Sequence, residues 1–487
     1  MKRKTILLLT ALIAYCGLFY GQSTGINVLI FNVILLTILL ILDKSLLRSK
    51  VWLAVAAGTL ITGTGALLYG NFLSAFGNVF SLLLLTHLSA SKESSLVFAL
   101  VQSAWSYITI PYFKMDRLMS PQEKPENAAE SRFSVGNVLK IFIPLAVLLL
   151  FTMIYRASNP IFNKFIGRIN LDFLSWGFIW FAFWGFVLVY GFFNQHLFSS
   201  LLVTDRSKGN LLSAGIRENE PSLFDGLSKE AGAAILTFVL LNLLLLLVNV
   251  LDLVFILGGS QDSVVNYSQY VHQGINSSIF SVIIAMLVTL YFFRGNLNFI
   301  AKSRQIKTLA LIWILLNAVL IFTCFYKNTG YIQESGLTHK RIGVYFYLLL
   351  TFISLVTTWI KITGMKSNWF LIRVNMWQLY LVLVFSALFN WNKIIVEYNM
   401  QYQSSVEREY YLYSLKDPAL PALLANWESM PQSYAYPTSD NFFSFTLKSQ
   451  TRRFIRNYQN AGWQSWNFES TRIYALIQQT KYKQRAK

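Results

Sequence analysis

Apolar residues in this chain come in blocks of nearly uniform length, and that regularity limits what the chain can fold into. The blocks lie at 5–21, 26–43, 51–69, 72–90, 139–156, 173–193, 231–257, 275–293, 308–325, 343–362 and 371–390. About 20 such residues in a helix cross the roughly 30 Å hydrocarbon core of a bilayer. A helix also satisfies its own backbone hydrogen bonds, which the bilayer interior cannot do for it. The pattern predicts an all-α, polytopic transmembrane bundle of about eleven spans. Composition agrees: 13% of residues are charged, against about 25% in an ordinary soluble domain.

A twelfth segment, "SLVFALVQSAWSYITIPYF" at 95–113, is apolar but carries Gln102, Ser103, Ser106 and Pro111. It reads as an interfacial or re-entrant piece, with a twelfth span as the alternative. Charge placement helps here, because cytoplasmic loops collect Lys and Arg. "MKRK", "DKSLLRSK" (43–50) and the acid-free loop 294–307 all face the cytoplasm if 95–113 does not cross. The N-terminus is then inside and the C-terminal tail external. The basic, apolar N-terminus lacks a small-x-small cleavage site, so it reads as an uncleaved first span.

Four sections follow. Residues 1–113 form an N-terminal membrane section, and 114–138, around "MSPQEKPENAAESR", a flexible linker. Residues 139–390 form the main bundle, and 391–487 a small helical domain outside the membrane. In that tail, a short helix starts near Asp417–Pro418, since proline suits a first helical turn. Two amphipathic helices follow, and their stripes favour packing of a small domain over a membrane surface or a partner's groove. "YGNF" (69–72) implies a tight helical hairpin, and "TGTGALLYG" (62–70) close helix contact. In 176–186, Trp176, Trp180 and Trp184 share one helical face, which suits lipid, while Gly177 and Gly185 form a packing groove on another.

The chain carries 41 Lys+Arg against 22 Asp+Glu, a net charge of +19. With the basic residues flanking apolar runs, the expected partner is a bilayer with anionic headgroups, not nucleic acid. A protein partner bound through 400–487 is a further possibility. Cys16 and Cys324 both lie in apolar runs, so no disulfide framework is expected. No nucleotide loop, nucleophile elbow or metal-ligand spacing occurs, so neither a cofactor nor a metal site is expected.

The candidate site residues are polar groups in apolar surroundings. In "LLLLLVNVLDLVFILGG" (243–259), Asp252 is the most costly, because a charge at the bilayer centre costs about 2.5–3.5 kcal/mol on insertion scales. Asn242, Asn249 and Asp252 fall within an arc of about 80° at 100° per residue. That stripe should face other helices or a water-filled cavity. Gly258–Gly259 end the helix, so Asp252 lies near the external rim, where a structural ion pair is favoured over a proton or cation site. Arg373, near the inner end of the last span, completes this intramembrane set. A second, external cluster comprises Tyr270 and His272 in "DSVVNYSQYVHQGINSS", with Lys340 and Arg341 in "SGLTHKRIGV". Arg341 is a candidate partner for Asp252. His87 reads as a hydrogen-bonded packing residue.

The ordered series "YSQYVHQG" (267–274), "YFFRGNLNF" (291–299), "LTHKRIGV" (337–344), "FNW…IIVEYN" (389–399) and "SLKDPALPALL" (414–424) resembles the bacterial multi-pass membrane protein family catalogued as domain of unknown function 4153/4173. The family pattern carries Tyr where His339 stands and Asp where Asn392 stands, which argues against His339 as an essential ligand. The resemblance implies a bacterial inner-membrane protein and supplies no catalytic residues. The expected function is therefore non-enzymatic, transporter-like or envelope-associated, with a polar site near the external ends of spans seven, eight and ten. The alternatives are a membrane-embedded transferase on a lipid-linked substrate, with Asp252 as base and Lys340 and Arg341 on phosphate, and an assembly partner acting through the tail.

Overall fold

The computed structural model describes residues 3–119, 144, 147–148, 151–152, 154–162, 175–195, 199–212, 226–258, 267–401, 414–415, 417–425 and 440–486. Among them there is no strand beyond one isolated bridge, Leu211 with Lys366. Most of the expected span at 139–156 and of the linker at 114–138 lies outside the described residues.

The chain divides into two compact units: Met1–Asp205 with Asn460–Thr471, and Arg206–Gln459 with Arg472–Lys487. In the first, α1 (Arg3–Phe19), α2 (Ile26–Leu42), α3 (Lys50–Tyr69), α4 (Phe72–Ala90) and α5 (Leu96–Met119) are followed by α6 (Trp176–Phe193). The short α7 (Ser199–Ser207) carries Asp205. The second holds α8 (Leu227–Gly258), α9 (Tyr267–Phe292), α10 (Ser303–Ser335), α11 (His339–Thr363), α12 (Asn368–Ser386), α13 (Trp391–Gln401) and α14 (Leu420–Ala425). Two long tail helices, α15 (Asp440–Asn460) and α16 (Phe468–Ala486), close the chain. Among the described residues seven helices are long and apolar enough to cross a membrane: α3, α4, α6, α8 (to Val254), α10, α11 and α12. Every expected span except 139–156 falls on a described helix.

Local chemistry fixes the first unit's turns. Gly70 ends α3 at φ 57°, a left-handed value that glycine adopts without a Cβ penalty. Asn71 then caps α4, its side chain accepting from the Ser74 amide at 2.8 Å, which makes the predicted hairpin. At Gly63 a Cβ would lie 2.5 Å from Asn32 Nδ2, so α2 and α3 approach closely there. Helix α6 runs antiparallel to α1, with Lys4 donating to Asn194 at 3.0 Å and the Tyr20 hydroxyl 2.7 Å from Ser175 Oγ. The Tyr15 ring fills the space a Gly185 side chain would need, while Trp176, Trp180 and Trp184 are exposed. That is the groove and ridge the sequence suggested.

Segment 95–113 lies on one continuous helix, α5. Its described apolar stretch, Leu96–Thr109, is shorter than the seven helices above. Ser103 Oγ, deep in the interface with α4, donates to the Leu83 carbonyl at 2.6 Å.

Tail residues pack a small core, from Val396, Ala419, Leu420, Leu423, Leu447, Phe454, Ile473 and Ile477. Tyr458 and Tyr474 stack at 4.5 Å. A 3-10 turn, Asp417–Ala419, leads into α14 where the proline start was placed.

Candidate functional site

Helices α8 and α10 are parallel and share a seam with a seven-residue repeat. Asn242 Nδ2 donates to the Leu309 carbonyl and Asn249 Nδ2 to the Leu316 carbonyl, both at 3.0 Å. A constant offset over seven residues is the register of a coiled-coil pair, in which a polar residue on the seam pins the alignment. The stripe Asn242, Asn249 and Asp252 therefore faces α10. On α8's other side Leu240, Leu243, Leu244, Leu247 and Leu251 are exposed, as lipid contact requires.

At the end of the seam Asp252 meets Lys327 of α10, Oδ1 to Nζ at 2.6 Å. Their side chains are only 10% and 5% exposed. Thr323 Oγ1 adds a hydrogen bond to the second carboxylate oxygen at 3.2 Å. The predicted ion pair exists, but its partner is Lys327, not Arg341. The apolar run ends at 325, whereas α10 continues as helix to Ser335. Lys327 lies on that polar extension. Its only sequence signal was a lone cation two residues past an apolar run.

Arg341 serves elsewhere. Its guanidinium donates to the carbonyls of Ser335 (2.8 Å) and Gly336 and lies 3.8 Å over the Tyr331 ring. It thereby caps α10, whose last carbonyls have no partner inside the helix. Lys340 beside it is exposed. Asn399 of α13 grips the same turn, accepting from the Leu337 amide at 2.7 Å and donating to its carbonyl at 2.9 Å. His339 and Asn392 hydrogen-bond each other. Tyr270 and His272 lie on α9, and their side chains fall outside the described residues.

Arg373 is not brought to Asp252. It lies at the α11–α12 end of the unit and donates to Asn210 Oδ1 at 2.8 Å. That end carries groups the sequence reading missed. Glu230 of α8 pairs with Arg294 at 3.0 Å, and the buried Lys361 donates to the Phe293 carbonyl at 2.8 Å. In the first unit His87 is fully buried, its Nε2 3.0 Å from Ser94 Oγ, as a packing histidine would be.

Two further atoms mark the seam. Asn242 Oδ1 and Asn249 Oδ1 are buried and find no donor among the described residues. Buried polar atoms are nearly always hydrogen-bonded, so each orphan needs an explanation. No group of three or more metal-ligating side chains occurs among the described residues.

Apolar helices, lipid-facing leucines and a polar seam turned inward define a polytopic α-helical membrane protein. The chain belongs to the family described as Domain of unknown function (DUF4153), which matches residues 7–426. No curated protein and no solved structure matches it.

Proposed function

We propose that this is a non-enzymatic, transporter-like protein of the bacterial inner membrane, with the α8–α10 seam as its working centre. The observation that carries the reading is the seam's chemistry. A buried ion pair stands in line with two buried amide oxygens that find no donor among the described residues. Those oxygens and the Asp252 carboxylate form a file of acceptors suited to a proton, a small cation or water. Neutralising Asp252 removes the charge that holds Lys327, and the buried ammonium is then costly where it stands. Such a pair has two discrete states, which a carrier requires.

Orientation follows the positive-inside trend within each unit. The first unit's turn around 43–50, and the second unit's end holding Arg294, Lys302 and Lys366, face the cytoplasm. The transferase alternative draws less support, because the Arg341 guanidinium is committed to the end of α10.

The test is ion flux in proteoliposomes loaded with a pH-sensitive dye. Wild-type protein should dissipate an imposed proton gradient, and Asp252→Asn should abolish the flux in the fraction that still elutes as folded protein. Equal rates in wild type, Asp252→Asn and empty vesicles would reject the reading.

A further inference from the structure

Residues 460–471 of the tail belong to the first unit. Their 3-10 turn, Trp463–Ser465, is hydrogen-bonded to the α1–α2 connection. Ser465 Oγ accepts from the Ser23 amide at 2.9 Å and donates to Gln22 Oε1 at 2.8 Å. The Trp466 carbonyl accepts from the Ile26 amide at 2.9 Å. The fit leaves no slack. A Cβ on Gly25 would lie 2.5 Å from the Trp466 carbonyl oxygen, and one on Gly70 would lie 2.9 Å from Asn467 Nδ2.

Polarity in this segment is inverted. Ser465, Asn467 and Glu469 are buried, whereas Trp463 is 63%, Trp466 43% and Phe468 57% exposed. A segment folding against water does the reverse. Phe72 at the neighbouring α3–α4 turn is also exposed. The turns that hold this segment close hairpins of apolar helices, and such turns lie at the membrane–water boundary. Tryptophan prefers that level, with an apolar ring body and a polar N–H.

We propose that 462–468 is an interfacial foot. It is docked on the turns of the first unit, and its Trp463, Trp466 and Phe468 rings enter the headgroup region of the leaflet on the α1–α2 side. The partner surface is lipid. Within the first unit, the foot lies on the side of the membrane opposite residues 43–50, because the α2–α3 turn lies at the other end of α2.

The test uses the full chain with Cys16→Ser and Cys324→Ala, reconstituted in phosphatidylcholine–phosphatidylglycerol vesicles. Trp463→Cys carries an environment-sensitive fluorophore, and a fraction of the lipid carries a headgroup nitroxide. The foot predicts blue-shifted emission quenched several-fold by the nitroxide. Water-like, unquenched emission would overturn it. So would quenching present in native membranes but absent from protein–lipid vesicles, which would assign the aromatics to a protein partner. Docking is tested separately with Gln22→Cys and Ser465→Cys, which a short bifunctional thiol reagent should bridge. Failure to bridge in membranes overturns the docked arrangement. Gly25→Val should lower both bridging and quenching while the protein still elutes as a folded species, and unchanged quenching would count against the foot.

Discussion

Asp252 of α8 and Lys327 of α10 meet at 2.6 Å inside the helical bundle, and each side chain is almost wholly withdrawn from the surface. Neither residue makes sense alone. Each supplies the countercharge that lets the other be buried.

Removing one member of a buried pair costs more than removing both, because the survivor is left charged and unpaired. Asp252→Leu or Lys327→Met alone should each cost about 3–5 kcal/mol of stability. The double variant should recover most of the loss. Thermal unfolding of the four proteins in one detergent measures this. Additive losses would mean that the contact does not couple the two helices.

Asn399 holds both backbone groups of Leu337. Asn399→Ala should cost about 1–3 kcal/mol, since it orphans a buried amide and a buried carbonyl. The Leu337 amide should lose hydrogen-exchange protection. Asn399→Asp keeps the acceptor and should retain more of that protection than alanine does.

Gly63 faces Asn32 across the α2–α3 contact. Gly63→Ala places a methyl group where Asn32 Nδ2 now sits, and overpacking of this kind costs about 1–3 kcal/mol. Shortening the neighbour with Asn32→Ser should restore part of the loss. A double-mutant cycle with no coupling would show that the helices separate instead.

Asp43 pairs with Lys92 at 2.8 Å and also accepts from the Ser45 amide. The hydrogen bond from Lys92, then those from Ser45, lower its pKa to about 2. The folded value lies below the unfolded one of about 3.9. Its stabilising contribution is thus complete above pH ~4 and is lost as pH falls through about 2. The pair is solvent-exposed, so the contribution is under about 1 kcal/mol. Lys92→Gln should raise the Asp43 pKa, read by carbonyl NMR of labelled aspartate, and flatten stability between pH 2 and 4.

Much of the fold was legible because lipid imposes a one-dimensional rule: a span needs about 20 apolar residues wherever it packs. The apolar runs that fall on described helices, the Gly70–Asn71 hairpin, the tryptophan ridge of α6 and the inward stripe of Asn242, Asn249 and Asp252 were therefore visible in local pattern. Partner choice was not. That Asp252 takes Lys327 and leaves Arg341 to cap α10 depends on how far α10 continues past its apolar stretch, and on the 67-residue offset that sets its register against α8. The tail's Ser465, Asn467 and Trp466 likewise look like ordinary loop residues in sequence. Only the folded chain carries them to Gln22, Ser23 and Ile26, more than 400 residues away. Hydropathy is a property of each segment and can be read along the chain, whereas a hydrogen bond or ion pair belongs to two segments and exists only once tertiary packing has brought them together.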